Sequence, residues 1–274
     1  MSALPVVEPA PPPADPLSAR LDDLILELGD YVSGSSPARD GARIDRIARL
    51  EKLRAATAAL QAAETVRFAR SQVAEQLAQD VHPAAIGRGI SDQIALACKI
   101  SPSAGSHRLA VARALCFELP ETFTRLTAGE LSEQVAESVV RETRHLDAAT
   151  RQTVDVQIVA AGITTLGPRA AAACARRHAY EADPQRYLER GRTERKHRRV
   201  SIRPAPDTMS ILRGYLPVEQ GVACYASLRK HTDTLIAAGD PRTRDQIMAD
   251  TSSNGLPDKL AHRTSMSRST SSCR

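Results

Sequence analysis

From Arg43 to Ala78 the apolar residues Ile44, Ile47, Leu50, Leu53, Leu60, Ala63, Val66, Val73 and Leu77 recur mostly every three or four positions, with charges between them. That period belongs to an amphipathic helix, so the run predicts one long helix, antiparallel to a neighbour. A stripe of this length must be covered by other apolar faces, either within the chain or from a second copy. A homo-dimer through the helix at 43–78 is therefore one expectation.

The rest of the chain offers helical faces to cover it. Hydrophobic residues make up 42% of the sequence, but aromatics only 3% and tryptophan is absent. The apolar content is Ala, Leu, Val and Ile, a mixture that favours helices packed closely through small side chains. Leu17, Leu21, Leu24, Ile25 and Leu28 form a shorter stripe that ends near Gly29 to Gly34. Two runs within 91–118 flank Ile100-Ser101-Pro102, where Ser101 is a capping residue and Pro102 suits a first helical turn. Further runs are expected at about 129–145, 147–161, 168–182 and 184–197, divided by turn signals such as Leu166-Gly167-Pro168 and Asp183-Pro184.

The period then changes. Arg199-Val200-Ser201-Ile202-Arg203 alternates, Pro204-Ala205-Pro206-Asp207 reads as a turn and Met209-Ser210-Ile211-Leu212 follows, which predicts a small β-hairpin near 199–214. Pro217 opens a helix to about Ala238, Gly239 stops it, and Asp240-Pro241 begins a last one through Asp250, with Asp240 as its expected cap. The expected fold is mainly α: a multi-helix bundle over 17–250 with one hairpin, built on one core, and disordered N- and C-terminal tails at 1–16 and 251–274.

Residues 1–16 hold six prolines and lack a basic start or an unbroken apolar core, so they read as a disordered leader rather than a signal peptide. No stretch approaches the roughly 20 apolar residues of a membrane-spanning helix, so a soluble protein with no membrane partner is expected. Five cysteines, Cys98, Cys116, Cys174, Cys224 and Cys273, are odd in number and scattered. They suggest neither a disulfide framework nor a metal knuckle, and the expected location is cytoplasmic.

A net charge of +5 and a sequence pI near 9.1 make a polyanion a plausible partner, and double-stranded DNA is the candidate. Two segments carry that expectation. The helix pair around Ile100-Ser101-Pro102 has helix-turn-helix spacing, with Ser103, Ser106 and His107 set to face bases and Arg108 and Arg113 to hold phosphates. Gly105 inside the second helix weakens that reading, and any two short packed helices share the spacing. The second segment is Arg186, Arg190, Arg192, Arg195, Lys196, Arg198, Arg199 and Arg203, offset only by Glu189 and Glu194. Clustered Arg and Lys release counterions from phosphates, although a solvated helix face is the commoner origin of such a run. Arg176, Arg177 and His178 extend the patch if the two helices lie side by side. Glu130, Glu137 and Glu142 have no partner the sequence identifies, and Cys98, Cys116 and Cys174 read as small buried groups.

The phrases Leu119-Pro120, Ala128-Gly129-Glu130-Leu131-Ser132, Arg141-Glu142-Thr143, Leu166-Gly167-Pro168, Arg203-Pro204-Ala205-Pro206-Asp207, Leu216-Pro217-Val218-Glu219-Gln220-Gly221-Val222 and Gly239-Asp240-Pro241-Arg242-Thr243 occur in this order. Together they resemble the 13E12 repeat family of high-GC Gram-positive bacteria, over roughly residues 15–250. The N-terminal module of that family is known as domain of unknown function 222. The resemblance implies a helical module that precedes a small metal-binding HNH endonuclease domain, and it brings no catalytic residues of its own.

An HNH site needs a histidine to activate water, ligands for a divalent metal and usually an asparagine to orient the histidine. The only asparagine is Asn254, and beyond Arg203 the only histidines are His231 and His262. No catalytic residue, metal ligand or cofactor is therefore expected, and the chain reads as non-catalytic: a DNA-binding module, or alternatively a protein-interaction or oligomerisation module or a non-functional truncated fragment. The tail from Thr251 carries seven serines and three threonines. If these serines use TCN codons, a one-nucleotide slip turns each into an NTC codon for Phe, Leu, Ile or Val, giving Ser265, Ser267 and Ser269 an alternating apolar pattern like a strand. A frameshift that truncates the protein before a nuclease domain is the expectation this raises.

Overall fold

A computed structural model describes residues 15–33 and 39–254, so the expected leader and tail lie, except for their inner ends, outside the described residues. The described residues form eleven α-helices and one two-stranded hairpin, and none of the helices is long and apolar enough to cross a membrane. The chain divides into two compact units, residues 1–178 and 179–274.

In the first unit, α1 (Pro16–Ser33) starts behind Asp15, whose carboxylate accepts from the Ser18 N–H at 3.0 Å. The long stripe is a single helix, α2 (Asp40–Ala78), of 39 residues and thus about 58 Å. Its buried positions begin only at Ala55 and continue through Ala59, Val66 and Ala69. Gln76 folds the following loop back onto it, accepting from the Gly87 N–H at 2.6 Å and donating to the Arg88 carbonyl at 3.2 Å.

Next come α3 (Ile90–Ala97) and α4 (Pro102–Glu118), with Ser101 capping α4 through the Ala104 N–H and Pro102 in the first turn, as the sequence predicts. Helix α3 closes with Lys99 in the left-handed region at φ 54°, the Lys99 N–H reaching the Leu96 carbonyl and the Ile100 N–H the Ala95 carbonyl. Gly105 explains how tightly the pair meets: a methyl there would stand 2.5 Å from the Ser91 carbonyl oxygen and 2.7 Å from the Ala95 Cβ.

Helix α5 (Pro120–Thr127) is absent from the sequence expectation. The expected run at 129–145 is shorter, α6 (Glu133–Thr143), because Gly129 turns the chain at φ 71° and Ser132 caps the helix through the Val135 N–H. There follow α7 (Ala148–Ala160), capped by Asp147, and α8 (Pro168–Ala182), whose last four residues belong to the second unit. Helix α4 is the centre of the unit, packing against α2, α3, α5, α6 and α7. The core is built from residues such as Ala59, Ala112, Leu115, Ala136, Val139, Val154 and Ile158, small and branched as the composition implies.

Two buried polar groups join these helices. Asp155 of α7 is fully buried and caps α5 from outside, accepting from the Glu121 N–H at 2.7 Å, the Thr122 N–H at 3.2 Å and the Thr122 hydroxyl at 2.5 Å. Arg151, also of α7, donates to the Thr143 hydroxyl at 2.8 Å, the Val140 carbonyl at 2.7 Å and the Glu118 carboxylate at 2.5 Å. Buried polar groups are tolerated when partnered in this way.

The second unit contains α9 (Pro184–Lys196), the antiparallel strands β1 (Arg199–Pro204) and β2 (Ser210–Tyr215), α10 (Val218–Ala237) and α11 (Arg244–Asn254). The hairpin falls where the alternation predicts it. Asp207 and Thr208 both take positive φ (58° and 60°), as a type I′ turn requires. Pro206 has no N–H, so the Met209 carbonyl accepts from Ala205 instead. Helix α11 starts three residues later than expected and continues past the change of composition at Thr251. Its cap is Thr243, not Asp240: Thr243 and Gln246 exchange hydrogen bonds in a capping box at 2.9 and 3.3 Å. Asp240 instead accepts from the guanidinium and backbone N–H of Arg242, which hold its carboxyl down to about 2.

Candidate nucleic-acid interface

On α4, Ser103, Ser106, His107 and Arg113 lie on one exposed strip together with Ala110 and Phe117. Arg108 does not join it. One helical position round from His107, its guanidinium turns inward to the Gln61 side chain of α2 and to the Cys98 sulfur at 3.8 Å. The two serine hydroxyls bond locally, Ser103 with Ser101 at 3.1 Å and Ser106 to the Pro102 carbonyl at 3.2 Å. Arg113 borders a shallow groove with Arg70, whose guanidinium sits 4.4 Å over the Phe117 ring. The strip is polar but carries few unengaged cations.

The cysteines of the first unit, Cys98, Cys116 and Cys174, are half-buried rather than fully buried. Cys98 rests on the Ile90 and Ile94 cluster. Burial pushes the Cys116 thiol up, and Arg67 and Arg70 offset only part of this, so it is a poor nucleophile at neutral pH. The four described cysteines are free.

Three residues without partners in the sequence reading acquire roles or remain open. Glu130 pairs with Arg125 at 3.1 Å. Glu142 pairs with Arg141 at 3.2 Å and Arg176 at 3.1 Å, so Arg176 is engaged with α6. Burial raises the Glu142 carboxyl, but hydrogen bonds and charge from Arg176 and Arg141 more than reverse this and leave it below its ordinary value. Glu137 has no such partner among the described residues.

The basic run lies in the second unit along α9 and onto β1. Arg190 is half-buried, and Arg192, Arg195, Lys196, Arg198 and Arg199 are exposed. Arg186 pairs with Asp183 at 3.3 Å and Arg195 with Glu219 of α10 at 2.7 Å. Arg198 donates to the Arg195 carbonyl at 3.0 Å, closing the end of α9. Arg199 stacks 5.0 Å from the Tyr215 ring, and the Tyr215 hydroxyl donates to Glu194 at 3.0 Å. Of these contacts the Tyr215–Glu194 bond links the hairpin to α9.

Strand register then assembles a basic face. Arg199 lies opposite Tyr215, Ser201 opposite Arg213 and Arg203 opposite Ile211. Alternate residues share a face, so Arg199, Arg203 and Arg213 stand together. Arg213 is the residue that sequence reasoning missed. Its signal was its place in the second strand of a hairpin already expected, where pairing sets it beside Ser201. Every position of both strands is exposed, and among the described residues the side chains of Arg192, Lys196, Arg203 and Arg213 form no ion pair or hydrogen bond. The opposite face, Val200, Ile202 and Leu212, is apolar.

A family model described as Domain of unknown function (DUF222) matches residues 47–268. No curated protein and no solved structure matches the chain.

Proposed function

The chain belongs to the DUF222 family, whose description names no activity, and from that premise we propose that it is a non-catalytic, cytoplasmic module that binds double-stranded DNA through α9 and the β1–β2 ribbon. The observation that carries this reading is the exposed ribbon with Arg199, Arg203 and Arg213 on one face, following the exposed Arg192 and Lys196 of α9 in the chain. A two-stranded ribbon fits the major groove, and the unpaired guanidiniums of Arg203 and Arg213 reach phosphates. Nearby acids do not consume these cations, as they do Arg186 and Arg195. The α4 strip, with Ser103, Ser106, His107 and Arg113, is a secondary contact in this proposal.

The test is duplex binding followed by fluorescence anisotropy. Arg203→Ala combined with Arg213→Ala and Lys196→Ala should weaken binding by at least about tenfold, with circular dichroism unchanged. Equal affinity of the triple variant and the wild type would remove the ribbon from the proposal.

The resemblance to HNH-containing 13E12 repeat proteins supports a module that holds DNA for a nuclease domain. The family match runs past Thr251 to residue 268 in the present reading frame, which counts against a slip of frame at codon 251.

A second reading, dimerisation through α2, is favoured by Ile44, Ile47 and Leu50, which are 65%, 62% and 48% exposed on the turns that precede the buried face. Light scattering distinguishes it: a stable dimer without DNA affinity favours an interaction module, and a monomer excludes it.

A further inference from the structure

Between α2, α4 and α6 the first unit holds a cavity of about 190 Å³. Its wall includes Ala58 and Ala62 of α2, Ala104, Val111 and Ala112 of α4, and Ala136 of α6. Ala58, Ala62, Ala104 and Val111 face the space, and Ala112 and Ala136 lie closed beneath them. Protein interiors are normally packed to crystal-like density, and an apolar cavity of roughly 150 Å³ stays dry and accepts benzene. The space here suits an aromatic ring or a branched alkyl group.

The mouth has a different character. Gln61, His107, Arg108, Glu133 and Glu137 surround it. Glu133 and Glu137 lie one turn apart on α6, exposed and with no ion pair or hydrogen bond among the described residues. The one guanidinium at the mouth, Arg108, is directed to Gln61 and Cys98. Beyond Glu137, in the adjoining cleft, Arg141 is bonded to Glu142, and Arg144 lies further along. Two uncompensated carboxylates over an apolar cavity match a cationic head on an apolar body.

We propose that this cavity binds a small primary amine with an aromatic or branched-alkyl body, the body among the alanines and the ammonium at Glu133 and Glu137. The site is in the first unit and is independent of the basic ribbon. Titration calorimetry on the full chain with phenethylamine, phenethyl alcohol and 3-phenylpropionate tests it. The amine should bind at least about fivefold more tightly than the alcohol, as one partly exposed charge pair allows, and the carboxylate should bind least. Glu133→Gln with Glu137→Gln should equalise amine and alcohol, and Ala62→Leu should abolish binding of both. If Ala62→Leu fails to fold, Ala104→Val fills the same space from α4, and amide shift perturbations in the wild type should centre on Ala58, Ala62 and Ala104. Absence of amine binding, amine binding that survives in a folded cavity-filled variant, or a carboxylate bound as tightly as the amine would each overturn the assignment.

Discussion

Replacing Asp155 with alanine removes the acceptor for the first turn of α5. The Glu121 and Thr122 N–H groups and the Thr122 hydroxyl lose their partner in a region closed to water. An unsatisfied buried donor costs about 1–3 kcal/mol and a lost helix cap about 0.5–2 kcal/mol, so a total near 3 kcal/mol is expected. For a cooperative unit of this size that corresponds to a fall of roughly 6–12 °C in Tm. Asp155→Asn should behave differently. Its amide oxygen still accepts from the two N–H groups, and its NH₂ can donate to the Thr122 hydroxyl, which accepts as readily as it donates. The cost should stay below about 1 kcal/mol. Burial pushes the Asp155 carboxyl above its ordinary value, despite hydrogen bonds from Thr122 and Glu121. The folded state therefore holds the proton more tightly than the unfolded chain. Stability from this group is fully present below the unfolded pKa and is lost as pH rises through the raised folded pKa. Calorimetric melts of wild type and Asp155→Asn from pH 3.5 to 8 should show the asparagine variant gaining on the wild type as pH rises. The reasoning fails if alanine and asparagine destabilise equally, or if the difference between asparagine and wild type moves the other way.

Three further outcomes follow from the same contacts. Glu142→Gln should cost about 1 kcal/mol at pH 7 by loosening Arg141 and Arg176; because the Glu142 carboxyl is lowered, its contribution is present above the unfolded pKa and is lost as pH falls through the folded value, so the deficit should vanish in acid melts. Gly105→Ala should destabilise by about 1–3 kcal/mol in denaturant titration, because the clash with the Ser91 carbonyl outweighs alanine's helix propensity. Replacing Asp207-Thr208 by Asn-Gly relieves two left-handed non-glycine residues and should slow amide exchange across β1 and β2, by about 1–2 kcal/mol in opening free energy.

Most helices announce themselves through local signals: the stripes of α1 and α2, Ser101-Pro102 before α4, Asp183-Pro184 before α9, and the alternation that becomes β1. Helix α5 did not, because Pro-Glu-Thr-Phe-Thr-Arg-Leu-Thr is short and rich in threonine, and its cap comes from Asp155, more than thirty residues away. Asp240 was a reasonable cap by type and position, but Arg242 captures its carboxylate and leaves Thr243 to do the capping. The candidate interface was readable as a charge run and unreadable as a surface. Spacing alone cannot say that Arg108 turns inward to α2, that Glu219 engages Arg195, or that Arg213 joins Arg199 and Arg203 on one face. Those facts depend on tertiary packing and on strand register, and residue order does not state them.

The salt dependence of duplex binding bears on the DNA proposal as a whole. With Arg192, Lys196, Arg199, Arg203 and Arg213 each displacing a counterion, log affinity should fall against log salt with a slope of about −4.5, a loss of roughly 500-fold between 50 and 200 mM. The Arg203→Ala, Arg213→Ala and Lys196→Ala triple variant should flatten that slope by about 2.7. Binding that is indifferent to salt, or a triple variant with the wild-type slope, would contradict the account.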